Sequence, residues 1–592
     1  MSFLFVAVII IMRGRNEGRN FLLITLDTVR ADRLSCYGYG NISTANIDFL
    51  ARSGVIFENA VSPAPLTLPS HTTLLTGLYP NVHGVRDNSS YKLSEKAITL
   101  AEILRSNGYA TGAVVGSFIL DSGFGLDQGF GYYDDEMVSS PVTSGTPSQE
   151  SNRPVLKKLT PRPASAVTSR ALSWLHRNMD NRFFLWIHYY DPHYPYNPPP
   201  PYSKEYRENP YDGEIVYVDQ NVKAITEELM KNDLLDKTLV VIAGDHGESL
   251  GEHGEQTHSV FIYESTIKVP LIMRYPGKLP AGIRINAPVS LADVVPTVLD
   301  ILGIRSQADF NGSSLIDVIH NRSKEDRYIY SESLFSYLTY GWSQIMSIRD
   351  SRWKYIRSTD PELYDLSDDP LEKNNLIGTE EEVAEMLGER LDSMVSSTSL
   401  ENMSLAEDIN LSAEDRERLT ALGYVTAGSI SEEDASLRDP KEMIRFHTLI
   451  DGGNKAIDEL RYDDAFKAFS EVIAMSEGYD ADPNLMKMLG MVHNRMGIIY
   501  INRQDTTKAG IEFKKAVELD PGLLDAYHNL GNIHMMNKNY PEAAACFQRA
   551  VEIDPDVPGY YITLAKIYTQ MGDTHRAQEA YNKAVRLGQP RR

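Results

Sequence analysis

At 592 residues the chain is too long for one ordinary core, so two or three domains are expected. Its 42% hydrophobic and 23% charged residues are globular values, and 58 basic against 81 acidic residues leave a net charge of −23, which argues against nucleic acid as a partner. Two cysteines, Cys36 and Cys546, exclude a disulfide framework and a cysteine-based metal site.

The chain opens with ten apolar residues, Phe3 to Met12, followed by Arg13 and Arg15. Such a run reaches about 15 Å as a helix, too short to cross a bilayer. Residues 1–19 are read as an export or anchor segment, which places the protein in the periplasm or on a membrane; a buried strand and a cytoplasmic protein are the alternative.

Three continuous apolar runs follow, NFLLITLD (20–27), RFFLWIHYYD (182–191) and TLVVIAGDH (238–246). Runs of this kind are strands buried on both faces, and VPLIM (269–273) is another. Amphipathic helices are expected at 98–107, 165–178 and 218–231, and a further helix at 288–304 behind a proline break. The alternation is that of an α/β fold with a mixed, largely parallel sheet. Segment 353–376 has the look of a β-hairpin, and 379–397 and 412–422 read as acidic helices. The stretch 138–161 reads as an exposed insertion, and 192–202 is too proline-dense for regular structure and is read as one rim of a cleft.

Each long run ends in an acid, and in open α/β sheets ligands gather outside the carboxyl ends of the strands. Asp27, Asp191-Pro192-His193 and Asp245-His246 are therefore brought toward one place, with His253 and His258 on the glycine-rich loop beyond. The competing reading is that the acids cap following helices. The stretch TLPSHTTLLTG (67–77) supplies a hydroxyl. Pro69 suits the first turn of a helix and Gly77 its end, which leaves Thr67 on the loop leading in, facing backbone donors that attract anions. A neutral threonine is a poor nucleophile at pH 7, so a metal or a base must assist it.

The last 150 residues repeat. Gly497 and Gly531, Ala509, Ala543 and Ala577, Phe513, Phe547 and Tyr581, and Pro521 and Pro555 recur at a spacing of 34, and Gly453, Ala465 and Phe469 begin a copy set back by ten further residues. This resembles the tetratricopeptide repeat, in four copies over 443–590 after a linker at 426–442. The resemblance implies an all-α solenoid whose concave surface binds a protein partner or a second copy of the chain.

Residues 20–425 resemble the sulfatase branch of the alkaline phosphatase superfamily. The resemblance rests on NFLLITLDTVRADRLSCYGYG, TLPSHTTLLTG, DQGF, YYDPHYPY, YDGEIVYVD, GDHGESLGEHG, PVSLADVVPTVLDILGI and ELYDLSDDPLEKNNL, in the family's order. It departs from the sulfatase pattern at the chemistry. Thr67 stands where the family has a Cys or Ser that becomes formylglycine, His71 where it has an arginine, and Thr28 where it has a second metal-binding aspartate. Gly116-Ser117-Phe118-Ile119 replaces the sulfate-gripping Gly-Lys-Trp-His, His246 replaces Asn, and His258 lies near the place of a lysine. Asp27, Thr67, Asp245 and His246 resemble instead the metal quartet of the threonine-nucleophile members, nucleotide pyrophosphatases and phosphoethanolamine transferases. The resemblance implies one divalent metal, and two carboxylates, an imidazole and an alkoxide suit zinc or manganese better than calcium. A second metal on His193, His258 and Asp191 is an open alternative. Thr67, His71, His193 and His258 are the candidate catalytic residues, with Thr28, His193 and His258 facing the substrate. The expected substrate is a small anionic ester, on a lipid or a glycan: a phosphate ester, phosphodiester or phosphonate first, a sulfuric ester second. A silent scaffold working through its repeats is the third alternative.

Overall fold

The computed structural model describes residues 19–140, 158–322, 326–397, 405–409, 419, 437–477 and 482–587. The segment 1–18, most of the insertion 138–161, the stretch 412–422 apart from Leu419 and most of the linker 426–442 lie outside the described residues. Two units are present, one of residues 1–334 and 345–409, the other of 335–344 and 410–592.

The first unit is organised by an eight-stranded sheet. Its strands are β1 (Asn20–Leu26), β2 (Val55–Val61), β3 (Ala110–Val114), β4 (Tyr132–Asp134), β5 (Phe183–Tyr189), β6 (Thr238–Gly244), β7 (Lys268–Arg274) and β8 (Ile283–Ser290), in the order β8-β2-β7-β6-β1-β5-β3-β4. Only β7 runs antiparallel to its neighbours. The three long apolar runs thus lie side by side in the middle of the sheet as β5, β1 and β6, every residue buried. Successive side chains point to opposite faces. Leu22, Ile24, Leu185, Ile187, Val240 and Ile242 belong to one core cluster, which they share with two helices, α3 (Ala164–Asn178) and α4 (Pro210–Lys231). Thr25, Trp186 and His188 project to the other face, where α1 (Thr67–Thr76) lies. A further helix, α2 (Leu100–Ser106), starts from a Thr99–Glu102 capping box.

Register fixes the site. Leu26 lies opposite both Tyr189 and Gly244, so the next residues, Asp27, Tyr190 and Asp245, leave the sheet at one level beyond its carboxyl edge.

Two expectations need correction. The helix expected at 218–231 starts at Pro210 and takes in the YDGEIVYVD segment. The helix expected at 288–304 is a strand end, a turn and a short helix. Pro288 sits in β8, the edge strand, where a missing N–H leaves no neighbour unpaired. A capping box between Ser290 and Asp293 then starts the turn that leads into α5 (Val294–Leu302).

A second, four-stranded antiparallel sheet follows in chain order, β9 (Ile329–Ser333), β10 (Ile345–Arg349), β11 (Trp353–Arg357) and β12 (Glu362–Asp365), the last two forming the expected hairpin. Helix Glu381–Ser397 lays Leu387 and Leu391 on it against Ile348 and Leu363.

The second unit contains four helix pairs, α6 (Pro440–Asp458) with α7 (Tyr462–Met475), α8 (Pro483–Asn502) with α9 (Thr506–Leu519), α10 (Leu524–Met536) with α11 (Tyr540–Ile553) and α12 (Pro558–Gln570) with α13 (Thr574–Leu587). The repeating glycines answer the repeating aromatics. A Cβ on Gly497 would stand 2.4 Å from the Phe513 ring and one on Gly531 2.8 Å from Phe547, so the small residue is what lets each pair close. In the last pair the aromatic, Tyr581, is 55% exposed. Among the described residues no helix is long and apolar enough to cross a membrane.

Candidate active site

The turn that carries Thr67 is assembled from non-local parts. Leu66 precedes α1 and offers it no side-chain cap. The Leu68 N–H donates instead to Asn88 Oδ1 at 2.8 Å, Pro69 has no N–H, and the Ser70 N–H bonds the Leu66 carbonyl. Of the donors expected to face an anion, the one at residue 68 is engaged and residue 69 has none. Thr67 is also the first residue of the helix rather than part of the loop before it, and it is buried. Gly77 closes α1 at φ 72°, as a left-handed cap requires.

Around the Thr67 hydroxyl the structure gathers Asp27, Asp245 and His246, all fully buried. His246 Nε2 lies 3.3 Å from Thr67 Oγ1 and 3.6 Å from both Asp27 Oδ1 and Asp245 Oδ2. The Nδ1–H of His246 donates to the Gly247 carbonyl at 3.0 Å, so Nε2 turns a lone pair into the cluster. Both oxygens of Asp27 and Oδ2 of Asp245 have no hydrogen-bond partner. Two buried carboxylates this close oppose each other's charge. Burial, then the neighbouring Asp27, pushes the Asp245 carboxyl well up, and burial pushes Asp27 up as well. Burial likewise lowers His246 well below the usual imidazole range. Orphaned buried oxygens beside an imidazole lone pair fit a divalent cation, and Asp27, Asp245 and His246 form one of two groups of potential ligands, among the described residues, whose atoms lie within 4.8 Å of one another. The other group is His71, His188 and Asp245.

The remaining candidates fall into two sets. His258 and His193 join the cluster's rim: the His258 ring centroid is 4.4 Å from that of His246 and 5.1 Å from that of His193. Glu248 Oε1 lies 3.2 Å from His258 Nδ1, and the Tyr194 carbonyl accepts from His193 Nδ1 at 2.6 Å. Thr28 adopts φ 56°, a strained value for a β-branched residue; its N–H donates to Asp245 Oδ1 and its carbonyl accepts from Tyr211 Oη, so its backbone braces Asp245. His71 lies under Thr67, its Nδ1 on the Thr67 carbonyl. Asp191 does not join. Its Oδ2 accepts the Ala164 N–H at 2.9 Å and so caps α3, whose own cap position is Pro163 and has no side-chain acceptor. The second metal set of His193, His258 and Asp191 is not among the ligand groups of the described residues.

Sequence reasoning missed His188, Glu248 and Asn88. His188 Nε2 is 3.4 Å from Asp27 Oδ2. The one signal for it was a histidine in the middle of an otherwise apolar strand.

A profile of the sulfatase family matches residues 19–304, and one of the N-sulphoglucosamine sulphohydrolase C-terminal region matches 251–397. Tetratricopeptide-repeat profiles match 492–523 and 522–589. The chain is 27% identical over 400 residues to an ulvan-active sulfatase of Formosa agariphila, covering 61% of this chain and 78% of that one. It is 25% identical to an N-acetylgalactosamine-6-O-sulfatase of Bacteroides thetaiotaomicron, covering 64% and 94%. In structure it is similar to the phosphonate monoester hydrolase of Agrobacterium radiobacter, with a TM-score of 0.54 and 22% identity over 64% of this chain and 96% of that one.

Proposed function

Because the N-terminal domain of this chain belongs to the sulfatase family and its C-terminal domain is built of tetratricopeptide repeats, we propose that it hydrolyses an anionic ester, a sulfuric monoester on a saccharide before any other, with Thr67 as nucleophile. The observation that carries the reading is the convergence of three orphaned carboxylate oxygens and the His246 lone pair on the Thr67 hydroxyl. Asp27, Asp245, His246 and Thr67 would hold one divalent cation, zinc or manganese by the donor set, which when bound lowers the hydroxyl's pKa and polarises an ester oxygen. Thr67 Oγ1 forms the bond to the ester's central atom as the bond from that atom to the alcohol oxygen breaks, and water then releases Thr67. His258, oriented by Glu248, and His193, oriented by the Tyr194 carbonyl, are the groups placed to give the departing oxygen its proton. The sulfuric ester is put first because the relatives similar over most of their length are sulfatases, of ulvan and of N-acetylgalactosamine. The repeats are proposed to bind a protein partner or a second copy of the chain.

A phosphate ester, phosphodiester or phosphonate is the second reading. It is favoured by an unmodified threonine at 67 and by the segment Gly116–Ile119, which offers no Lys or His to a sulfate. Parallel assays on 4-nitrophenyl sulfate, bis-4-nitrophenyl phosphate and a phenylphosphonate ester, with Zn²⁺ or Mn²⁺ added, separate the two. Thr67→Ala is expected to lower the rate on the true substrate by about 10³-fold or more. Turnover of the phosphorus esters without sulfate release moves the assignment to the second reading, and equal rates in both proteins remove Thr67 from the chemistry.

A further inference from the structure

On the face of the sheet that meets α1, three hydrogen bonds run in series from a strand to the nucleophile's backbone. The Trp186 Nε1–H donates to Thr25 Oγ1 at 2.9 Å, Thr25 Oγ1 lies 3.0 Å from His71 Nε2, and His71 Nδ1 lies 2.8 Å from the Thr67 carbonyl oxygen. Trp186, Thr25, His71 and Thr67 are all buried. The two ends have no choice of role, because an indole N–H only donates and a carbonyl only accepts. His71 Nδ1 must therefore carry a proton, and Nε2 faces the Thr25 hydroxyl whether the ring is neutral or charged. Neither nitrogen is open to a cation. His188 is closed in a related way. The Gly116 N–H donates to its Nδ1 at 3.3 Å, which puts the proton of the neutral ring on Nε2, 3.4 Å from Asp27 Oδ2 and without a hydrogen-bond partner.

We infer that His71 is a positioning residue that holds the peptide of Thr67 in place, and that the group His71, His188 and Asp245 is not a second cation site. The inference rests on the reading of Thr67 as nucleophile. The turn needs such support: Leu66 provides no cap and Pro69 no donor, and an unsupported first turn frays. Each remaining residue of the TLPSH motif then has a task. The Leu68 N–H is taken by Asn88, the Ser70 hydroxyl donates to the Asp245 carbonyl at 2.5 Å, and His71 reaches back to the Thr67 carbonyl. Ser70 and His71 tie the nucleophile's turn to the ends of β6 and β1, the two strands that deliver the carboxylates. The histidine at 71 is thus accounted for by a hydrogen bond in a fixed direction.

The full-length protein loaded with Mn²⁺ tests this. Electron spin echo modulation counts the imidazole nitrogens bound to the ion. One imidazole is expected in the wild type and the same signal in His71→Ala; two or three, or a stoichiometry that drops on substitution, overturns the inference. In kinetics, His71→Ala is expected to lower kcat by about 10²-fold with KM and the Mn²⁺ Kd within about threefold, since a misplacement of an ångström has that effect. His71→Asn, whose amide still donates to the Thr67 carbonyl, should come within about tenfold of wild type. An unchanged kcat in His71→Ala, or no rescue by Asn, overturns the positioning role. The wild-type imidazole count needs no variant to fold. Full activity in Thr67→Ala would remove the premise about the nucleophile, while the count would still decide whether His71 is a ligand.

Discussion

The ends of β1 and β6 and the end of β5 look alike in sequence, an apolar run closing on an acid, and do different things. Asp27 and Asp245 follow β1 and β6 at the same level of the sheet and leave three carboxylate oxygens without a hydrogen-bond partner. Asp191 lies two residues beyond β5, and its carboxylate is occupied by the first N–H of α3. The former arrangement leaves buried oxygens unsatisfied and is the one proposed to take a cation; the latter already has its donor. Backbone donors alone do not separate the two: Asp245 Oδ1 accepts the Thr28 and His246 N–H groups, yet its Oδ2 is left without a partner beside the two unpaired oxygens of Asp27.

The largest effects should fall on the incomplete side. Asp27→Asn and Asp245→Asn keep the shape and remove a ligand charge. Each is expected to weaken Zn²⁺ or Mn²⁺ binding by at least about 10²-fold and to abolish turnover, whereas Asp191→Asn should leave cation affinity unchanged. Isothermal titration of the three variants against both metals decides it, and a comparable loss in Asp191→Asn would erase the distinction.

That distinction was only half legible in the sequence. Asp27, Asp245 and His246 could be picked out because a buried strand with an acid at its carboxyl end is a local pattern with a topological meaning, and Thr67 by the stretch 67–77 and the family resemblance. The fold class followed from the same runs and from the 34-residue repeat. Asp191 carried the same local pattern, and its partner Ala164 is 27 residues away on a helix whose docking no periodicity reports. His188, Trp186 and Thr25 are strand residues that alternate onto one face and read as core. Their meaning comes from the pairing of β1 with β5, across more than 160 residues. The helix expected at 288–304 failed for a related reason: Pro288 reads as a helix breaker or starter until the strand is known to be an edge.

An intermediate effect should come from His188. Its Nε2 lies 3.4 Å from Asp27 Oδ2, a contact without the hydrogen bond that Ala164 gives Asp191. Removing an outer partner of a metal ligand typically costs about 10- to 100-fold in affinity. His188→Ala is expected to weaken Mn²⁺ binding within that range, and His188→Gln, which can still present an N–H near the Nε2 position, to weaken it less. Identical affinities in wild type and His188→Ala would show that Asp27 needs no such support.

The smallest effect belongs to Asp191 itself and depends on pH. Burial pushes its carboxyl up to about 6 from an ordinary 3.8, even though the bond from Ala164 pulls the other way. Between those values the folded chain keeps a proton that the unfolded chain has already released, so stability falls as pH rises through that window and stays lower above it. Asparagine keeps the oxygen that accepts from Ala164 and carries no charge. Asp191→Asn is therefore expected to leave the Tm unchanged near pH 4 and to raise it by a few degrees at pH 7.5, a gain on the order of 1–3 kcal/mol. Thermal scans at the two pH values check this. A lower Tm for the variant at pH 7.5 would mean that the charge strengthens the cap by more than burial penalises it, and Asp191 would then be held by the electrostatics of the α3 N-terminus rather than by the geometry of one hydrogen bond.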